Sequence, residues 1–279
     1  MTESLASIRE VFFGLEEYLK FKNQPEQIEI LRAFGKIMDS DNVERALFEY
    51  CIKQLNENSS SKDNMFKSIV AFNKKISNDQ VIVDAMSRSQ MRSKIWLIKE
   101  LAKIKQGYPN VLLMAGWFGQ LKSIYDQRLT YSKMRIVELD RAACETSDYI
   151  FNSANFENYK VKSVHANVNE LTLHKNGYEW SVENFKESTS YTEKFLPDLI
   201  INTSAEHMTE EWFHQLRFKQ LEGDPIVAIQ SNNLFDIPEH VNCVHSVDHM
   251  QKKFPMREVI FAGELQLKGY KRVMLIGRP

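Results

Sequence analysis

The chain has 279 residues and a mass of 32.6 kDa, enough for one large α/β domain or for a domain with a smaller partner. With 43% hydrophobic and 26% charged residues it can bury a sizeable core, which excludes wholesale disorder, a collagen-like repeat and a disulfide-built miniprotein. Lys and Arg number 36 against 37 Asp and Glu, so the net charge of -1 argues against a globally basic nucleic-acid coat.

Cys51, Cys144 and Cys243 are far apart and odd in number, which suits a reducing cytoplasm. No charged, apolar and cleavable leader opens the sequence, and its longest apolar runs are strand-sized. A cytoplasmic location without a membrane span is therefore expected.

From Met1 to about Asn58 the apolar residues recur at helical spacing, as in Ile8, Val11, Phe12, Leu15 and Leu19, then Ile28, Leu31, Phe34 and Ile37. Asp39–Asn42 reads as a turn capping the next helix, and the polar run Asn56–Asp63 as a loop. Further helices are expected through Phe66, Ile69, Val70 and Phe72, and from about Met86 to Lys105. Residues 1–85 are thus read as a small all-α domain and 86–279 as a second domain.

After Pro109 the period changes. Val111–Met114 is a short apolar run ending in Ala115-Gly116-Trp117-Phe118-Gly119, and an amphipathic helix follows over Leu121–Leu129. Further runs are Met134–Val137, Val161–His165, Leu199–Ile201, Ile226–Ile229, Val259–Leu265 and Tyr270–Ile276. Strands separated by helix-length segments indicate βαβ units and a parallel sheet. The last two runs leave room only for a hairpin at Gln266–Gly269, so they are expected to be antiparallel. A second hairpin is expected at Leu171–Val182, with Asn176-Gly177 as its positive-φ turn pair.

Ligands of an open parallel sheet bind beyond the carboxyl ends of its strands, at the topological switch point. After the first strand, Ala115–Gly119 offers small residues for close backbone approach. About twenty residues on, Glu138 ends the second strand, where a carboxylate can accept from ribose hydroxyls; Asp140 is a second acceptor or a helix N-cap. Asn167 follows the third strand and has the chemistry to read an adenine edge.

Together these positions resemble a class I S-adenosylmethionine-dependent methyltransferase, from about Lys94 to Pro279. The glycine turn matches the family's first motif, Glu138 its ribose-binding acid, Asn167 its adenine-side position and Pro197–His207 its fourth motif. The terminal antiparallel pair looks like the family's sixth and seventh strands. Three departures stand out: Leu113-Met114 replaces the usual acidic residue, the turn holds only two glycines, and Asn167 stands where aspartate is common. The resemblance implies a seven-stranded Rossmann-like α/β sheet with helices on both faces, preceded by the all-α domain. It also implies S-adenosylmethionine as cofactor, held by Ala115, Gly116, Trp117, Phe118, Gly119, Glu138, Asp140, Asn167 and Asn202.

In the fourth motif, Glu206 or His207 is placed as general base or orienting group. The segment lacks an Asn-Pro-Pro-Tyr signature and the chain lacks a Pro-Cys nucleophile, so nucleic-acid base methylation by those mechanisms is disfavoured. Gln230, Ser231, Asn232 and Asn233 are expected to line the acceptor side as substrate-binding residues, together with Arg88, Gln90 and Lys94 on the helix before the first strand. All seven histidines fall between His165 and His249. A strand reading of Val241, Cys243 and Val247 puts His240 and His245 on opposite faces, so no metal site is assigned. The expected partner is an unidentified methyl acceptor, with self-association through the N-terminal helices as a second role.

Two other functions fit the same residues. One is aminocarboxypropyl or aminopropyl transfer, as in nicotianamine-synthase-type and spermidine-synthase-like enzymes, which the unusual first motif leaves open. The other is a non-catalytic module binding a nucleotide or, through basic C-terminal residues such as Lys268, Lys271 and Arg272, a nucleic acid.

Overall fold

A computed structural model describes residues 3–38, 45–57, 65–66, 69, 85–151, 159–185, 188–219 and 221–279. The chain divides into two compact units, one comprising Met1–Ile98 with Gln120–Gln127 and the other Lys99–Gly119 with Arg128–Pro279. In the first unit, α1 (Glu3–Lys22), α2 (Pro25–Met38) and α3 (Arg45–Glu57) precede α4 (Arg88–Ile104), whose last turns belong to the second unit. Helix α1 buries Val11, Leu15, Tyr18 and Leu19, the one-sided stripe that its sequence spacing dictates. A Cβ at Gly14 would meet the Met86 carbonyl oxygen at 1.8 Å, so only glycine allows that approach.

Helix α5 (Gln120–Tyr125) is buried throughout and stops short of the expected Leu129. The turn expected at Asp39–Asn42 lies outside the described residues, as do Val70 and Phe72; Phe66 and Ile69 of that same expected helix are described and buried. Of the loop expected over Asn56–Asp63, only Asn56 and Glu57 are described, and they end α3. No described helix is long and apolar enough to cross a membrane.

The second unit is built on a seven-stranded sheet. Its strands in chain order are β1 (Asn110–Met114), β2 (Lys133–Glu138), β3 (Val161–His165), then, after three strands of a separate sheet, β7 (Leu199–Asn202), β8 (Ile226–Asn232), β9 (Glu258–Gln266) and β10 (Lys271–Arg278). Across the sheet they run β3-β2-β1-β7-β8-β10-β9. The first five are parallel, with Val111 opposite both Met134 and Leu199, and Leu199 opposite Ile226. Strand β10 enters antiparallel between β8 and β9, as the terminal hairpin requires. The chain lays β2 and β3 to one side of β1 and then returns to lay β7 and β8 on the other. That reversal creates a switch point between β1 and β7.

Helix α6 (Arg141–Ile150) follows β2, α7 (Glu211–Lys219) follows β7, and α8 (Val247–Lys253) follows β8. Coverage of both faces explains why the central strands read as unbroken apolar runs rather than alternating ones. One core gathers Leu112, Met114, Ile200, Val227 and Val273 of the sheet with Trp212, Phe213 and Phe254.

Strands β4 (Thr172–His174), β5 (Gly177–Asn184) and β6 (Thr189–Phe195) form a separate antiparallel sheet inserted between β3 and β7. Only its first hairpin is expected from the sequence, because β6 reads Thr-Ser-Tyr-Thr-Glu-Lys-Phe and carries little apolar alternation. The turn also sits one residue earlier than expected. His174 pairs with Gly177, so Lys175 and Asn176 are the loop; Gly177, at φ 121°, starts the strand. The insert is tied to the main sheet by Arg135 of β2, which is 2% exposed. Its Nε and Nη2 donate to the two Glu193 oxygens at 2.7 Å each, and Nη1 donates to the carbonyls of Met134 and Tyr159.

Candidate functional site

The loop after β1 is wound tightly. Ala115, Trp117 and Gly119 take φ values of 47°, 48° and 73°, so alternate residues occupy the left-handed region. Glycine serves this at Gly119; Ala115 and Trp117 hold it with a Cβ, at about 1 kcal/mol or more each. Gly116 has a different reason to be glycine, since a Cβ there would stand 2.5 Å from Ile136 Cγ2 and 2.9 Å from Leu113 Cγ.

What holds the loop is β2. The Gly116 N–H donates to the Val137 carbonyl at 3.2 Å, and the Trp117 N–H donates to Glu138 Oε2 at 2.8 Å. Glu138 Oε1 accepts from the N–H groups of Leu139 and Asp140, at 2.8 and 3.0 Å. The half-buried indole of Trp117 lies 4.8 Å from the ring of buried Phe118.

Two further predicted residues serve local structure. Asp140 is the N-cap of α6, accepting from the N–H groups of Ala142 and Ala143. Asn167 caps the short 3-10 turn Val168–Glu170 through the Asn169 N–H and donates to Glu170 Oε1. In that same turn Asn169 Oδ1 is buried without a hydrogen-bond partner. Sequence reading passed over Asn169 because nothing in a run of polar loop residues separates the capping side chain from the unsatisfied one.

The fourth-motif segment forms a second cluster past β7 and β8. Asn202 is buried, its Oδ1 accepting from the Ser204 N–H at 3.0 Å, and a 3-10 turn at Ala205–His207 follows. Glu206 is 3% exposed; its Oε1 accepts from Asn232 Nδ2 at 2.8 Å and from Arg272 Nη1 at 2.5 Å. Burial opposes the charge of Arg272, yet the Glu206 carboxylate holds its pKa above the ordinary guanidinium value. His207 is exposed, and its ring meets that of His240 edge-on at 4.6 Å. Burial and the neighbouring His207 push the His240 pKa below its usual value, favouring the neutral ring.

The segment around His240 corrects a sequence expectation. Residues 240–246 are loop leading into α8 and not a strand, because Ser246 caps that helix through the His249 N–H. His240 therefore meets His207, while His245 stacks between Phe235 and His249. Gln230, Ser231 and Asn232 also differ from a loop reading: they belong to β8, are at most 2% exposed, and pair with Met274, Val273 and Arg272 of β10. Asn233 follows and accepts from the Lys271 N–H at 2.8 Å. The buried Arg272 was missed because in sequence it looks like one more member of an exposed basic tail.

Arg88, Gln90 and Lys94 lie in the helical unit. Arg88 pairs with Glu17 at 3.0 Å and Gln90 accepts from Lys94 at 3.0 Å.

No protein-family model matches the chain, and no curated protein sequence does. Solved structures do. The N-methyltransferase NodS from Bradyrhizobium japonicum WM9, in complex with S-adenosylhomocysteine, matches with a TM-score of 0.52 at 7% identity, over 77% of this chain and 99% of that one. A SAM-dependent methyltransferase from Leishmania major gives 0.48 at 12% identity, over 81% and 90% of the two chains. Spermidine synthase from Thermotoga maritima gives 0.43 at 17%, over 68% and 60%. With its strand order and its antiparallel last pair, the chain has the fold of the class I S-adenosylmethionine-dependent methyltransferases.

Proposed function

We propose that the protein is a cytoplasmic S-adenosylmethionine-dependent transferase, and that the group it moves is the methyl. One observation carries the reading: at the carboxyl ends of β1 and β2, beside the switch point, a left-handed backbone loop is joined to a carboxylate. The donor set suits the cofactor. Glu138 uses three of a carboxylate's roughly four lone-pair positions on backbone N–H groups, leaving one for a ribose hydroxyl. The unsatisfied Asn169 Oδ1 matches the donor character of an adenine amino group. The loop Ala115–Gly119 would hold the methionine part, with the indole of Trp117 offering a π face to a cation.

When bound, the cofactor supplies an electrophilic methyl on a sulfonium. The chain's work is then to align an acceptor with that methyl and to exclude water. Exposed His207, beside His240, is the group we assign to take the acceptor's proton. Glu206 is already paired with Arg272, so its part is to position this loop and not to shuttle a proton.

The test is calorimetric titration of the purified chain with S-adenosylmethionine, S-adenosylhomocysteine and NADH. Micromolar binding of the two sulfur nucleosides and none of NADH is expected, and no binding of either would overturn the reading. S-adenosylhomocysteine as product supports methyl transfer; methylthioadenosine would replace it with aminopropyl or aminocarboxypropyl transfer.

A further inference from the structure

We propose that Glu206, His207 and His240 form a binding site for a divalent first-row transition-metal ion. One ligand atom from each residue, a carboxylate oxygen and two imidazole nitrogens, lies within 4.8 Å of the other two. Ligands sharing a metal at about 2.0–2.2 Å stand closer than this, so small side-chain rotations complete the set. Exposed His207 is free of burial to make its share of that movement.

A separate observation points to a ligand here. Glu206 is 3% exposed, and although its Oε1 is held by Asn232 and Arg272, its Oε2 is buried with no hydrogen-bond partner. An unsatisfied buried carboxylate oxygen costs more than a neutral acceptor would, and a cation between it and the imidazoles removes that cost.

The surrounding bonds are those that orient metal ligands. His240 Nδ1 lies 3.2 Å from the Leu234 carbonyl, which can only accept, so the proton sits on Nδ1 and the lone pair on Nε2. The Arg272 and Asn232 donors likewise fix the Glu206 carboxylate from behind. Two imidazoles with one carboxylate suit zinc, cobalt or iron over magnesium or calcium, which prefer oxygen. Three protein ligands leave coordination positions open, as in metal centres that act on a substrate. The site stands on its own residues, whether or not the chain binds S-adenosylmethionine; with the ion bound, the single lone pair of the His207 imidazole is on the metal, so ligation and the proton-accepting role of His207 exclude one another.

The test is titration of the chelator-treated full chain with Co2+, read by its visible ligand-field absorption, followed by competition with Zn2+. One equivalent of Co2+, displaced by Zn2+, is expected. His207→Ala and His240→Ala should each weaken binding by more than about 100-fold, beyond the loss typical of a residue behind the ligands. Because His207 is exposed, His207→Ala should leave the thermal transition unchanged, separating ligation from folding. His214→Ala, an exposed histidine on α7, should bind as the parent does. Failure of the parent to bind Co2+ stoichiometrically overturns the proposal. So does binding that survives both substitutions, or binding lost instead in His245→Ala or His249→Ala, which would place the ion at α8.

Discussion

Glu138 and Trp117 are joined across the ends of β2 and β1 by a 2.8 Å hydrogen bond from a main-chain N–H to a carboxylate oxygen. Trp117 sits at φ 48°, a conformation a bulky residue leaves unless it is held. The residue expected to bind ribose is thus also the residue that fixes the loop expected to bind methionine.

Glu138→Ala removes three charge-assisted hydrogen bonds and should lower the unfolding free energy by about 2–4 kcal/mol. Affinity for S-adenosylmethionine should fall by more than about tenfold, the equivalent of one lost hydrogen bond to a charged group. Urea denaturation and calorimetric titration measure the two separately. Undiminished stability would refute the structural role, and undiminished affinity the ribose assignment.

Within the loop, adjacent positions should respond in opposite directions. Ala115→Gly relieves a left-handed alanine and should stabilise by about 0.5–1 kcal/mol after the unfolded-state entropy is counted. Gly116→Ala drives a methyl against Ile136 and Leu113 and should destabilise by about 1–3 kcal/mol. Denaturation midpoints of the two variants check the sign as well as the size.

These contrasts show what the sequence could and could not convey. Val111–Met114, Met134–Val137 and Tyr270–Ile276 were legible as strands because burial on both faces demands continuous apolar residues, whereas Val259–Leu265, a half-exposed edge strand, was legible through the hairpin that joins it to the last run. Glu138 and the 115–119 turn were legible because strand ends locate them. The insert's β6 was not, since its outward Thr, Ser and Lys side chains leave only Phe195 buried. His240 and Arg272 were hidden for another reason: their meaning depends on which loop and which strand stand beside Glu206, and that pairing is long-range. The polar run Gln230–Asn232 misled in the same way, because a neighbouring β10 turns it into buried strand.

The three cysteines should be inert in the folded chain. All are buried, and burial pushes the Cys51 thiol up to about 12. Burial, then the nearby Glu138 carboxylate, raises Cys144; burial, then Glu206, raises Cys243. At pH 8 only about one Cys51 in ten thousand is thiolate, the form that reacts. A thiol–disulfide colour reagent should therefore titrate essentially none of them in native buffer and all three in urea; one fast native equivalent would show that its cysteine is reachable.

The Arg135–Glu193 pair offers a test of how the inserted sheet is attached. Both side chains are nearly enclosed, with 3% and 10% exposure, and Trp180 Nε1 also donates to Glu193 at 3.3 Å. Glu193→Ala leaves the guanidinium buried without its partner and should cost about 3–5 kcal/mol. Replacing both partners by apolar residues of similar volume, as in Arg135→Met with Glu193→Leu, should cost less than the single change, because neither charge then remains to be solvated. Equilibrium unfolding of Arg135→Met, of Glu193→Leu and of the double variant gives the coupling. If the double variant were as unstable as the sum of the singles, the ion pair would not be what fastens β6 to β2.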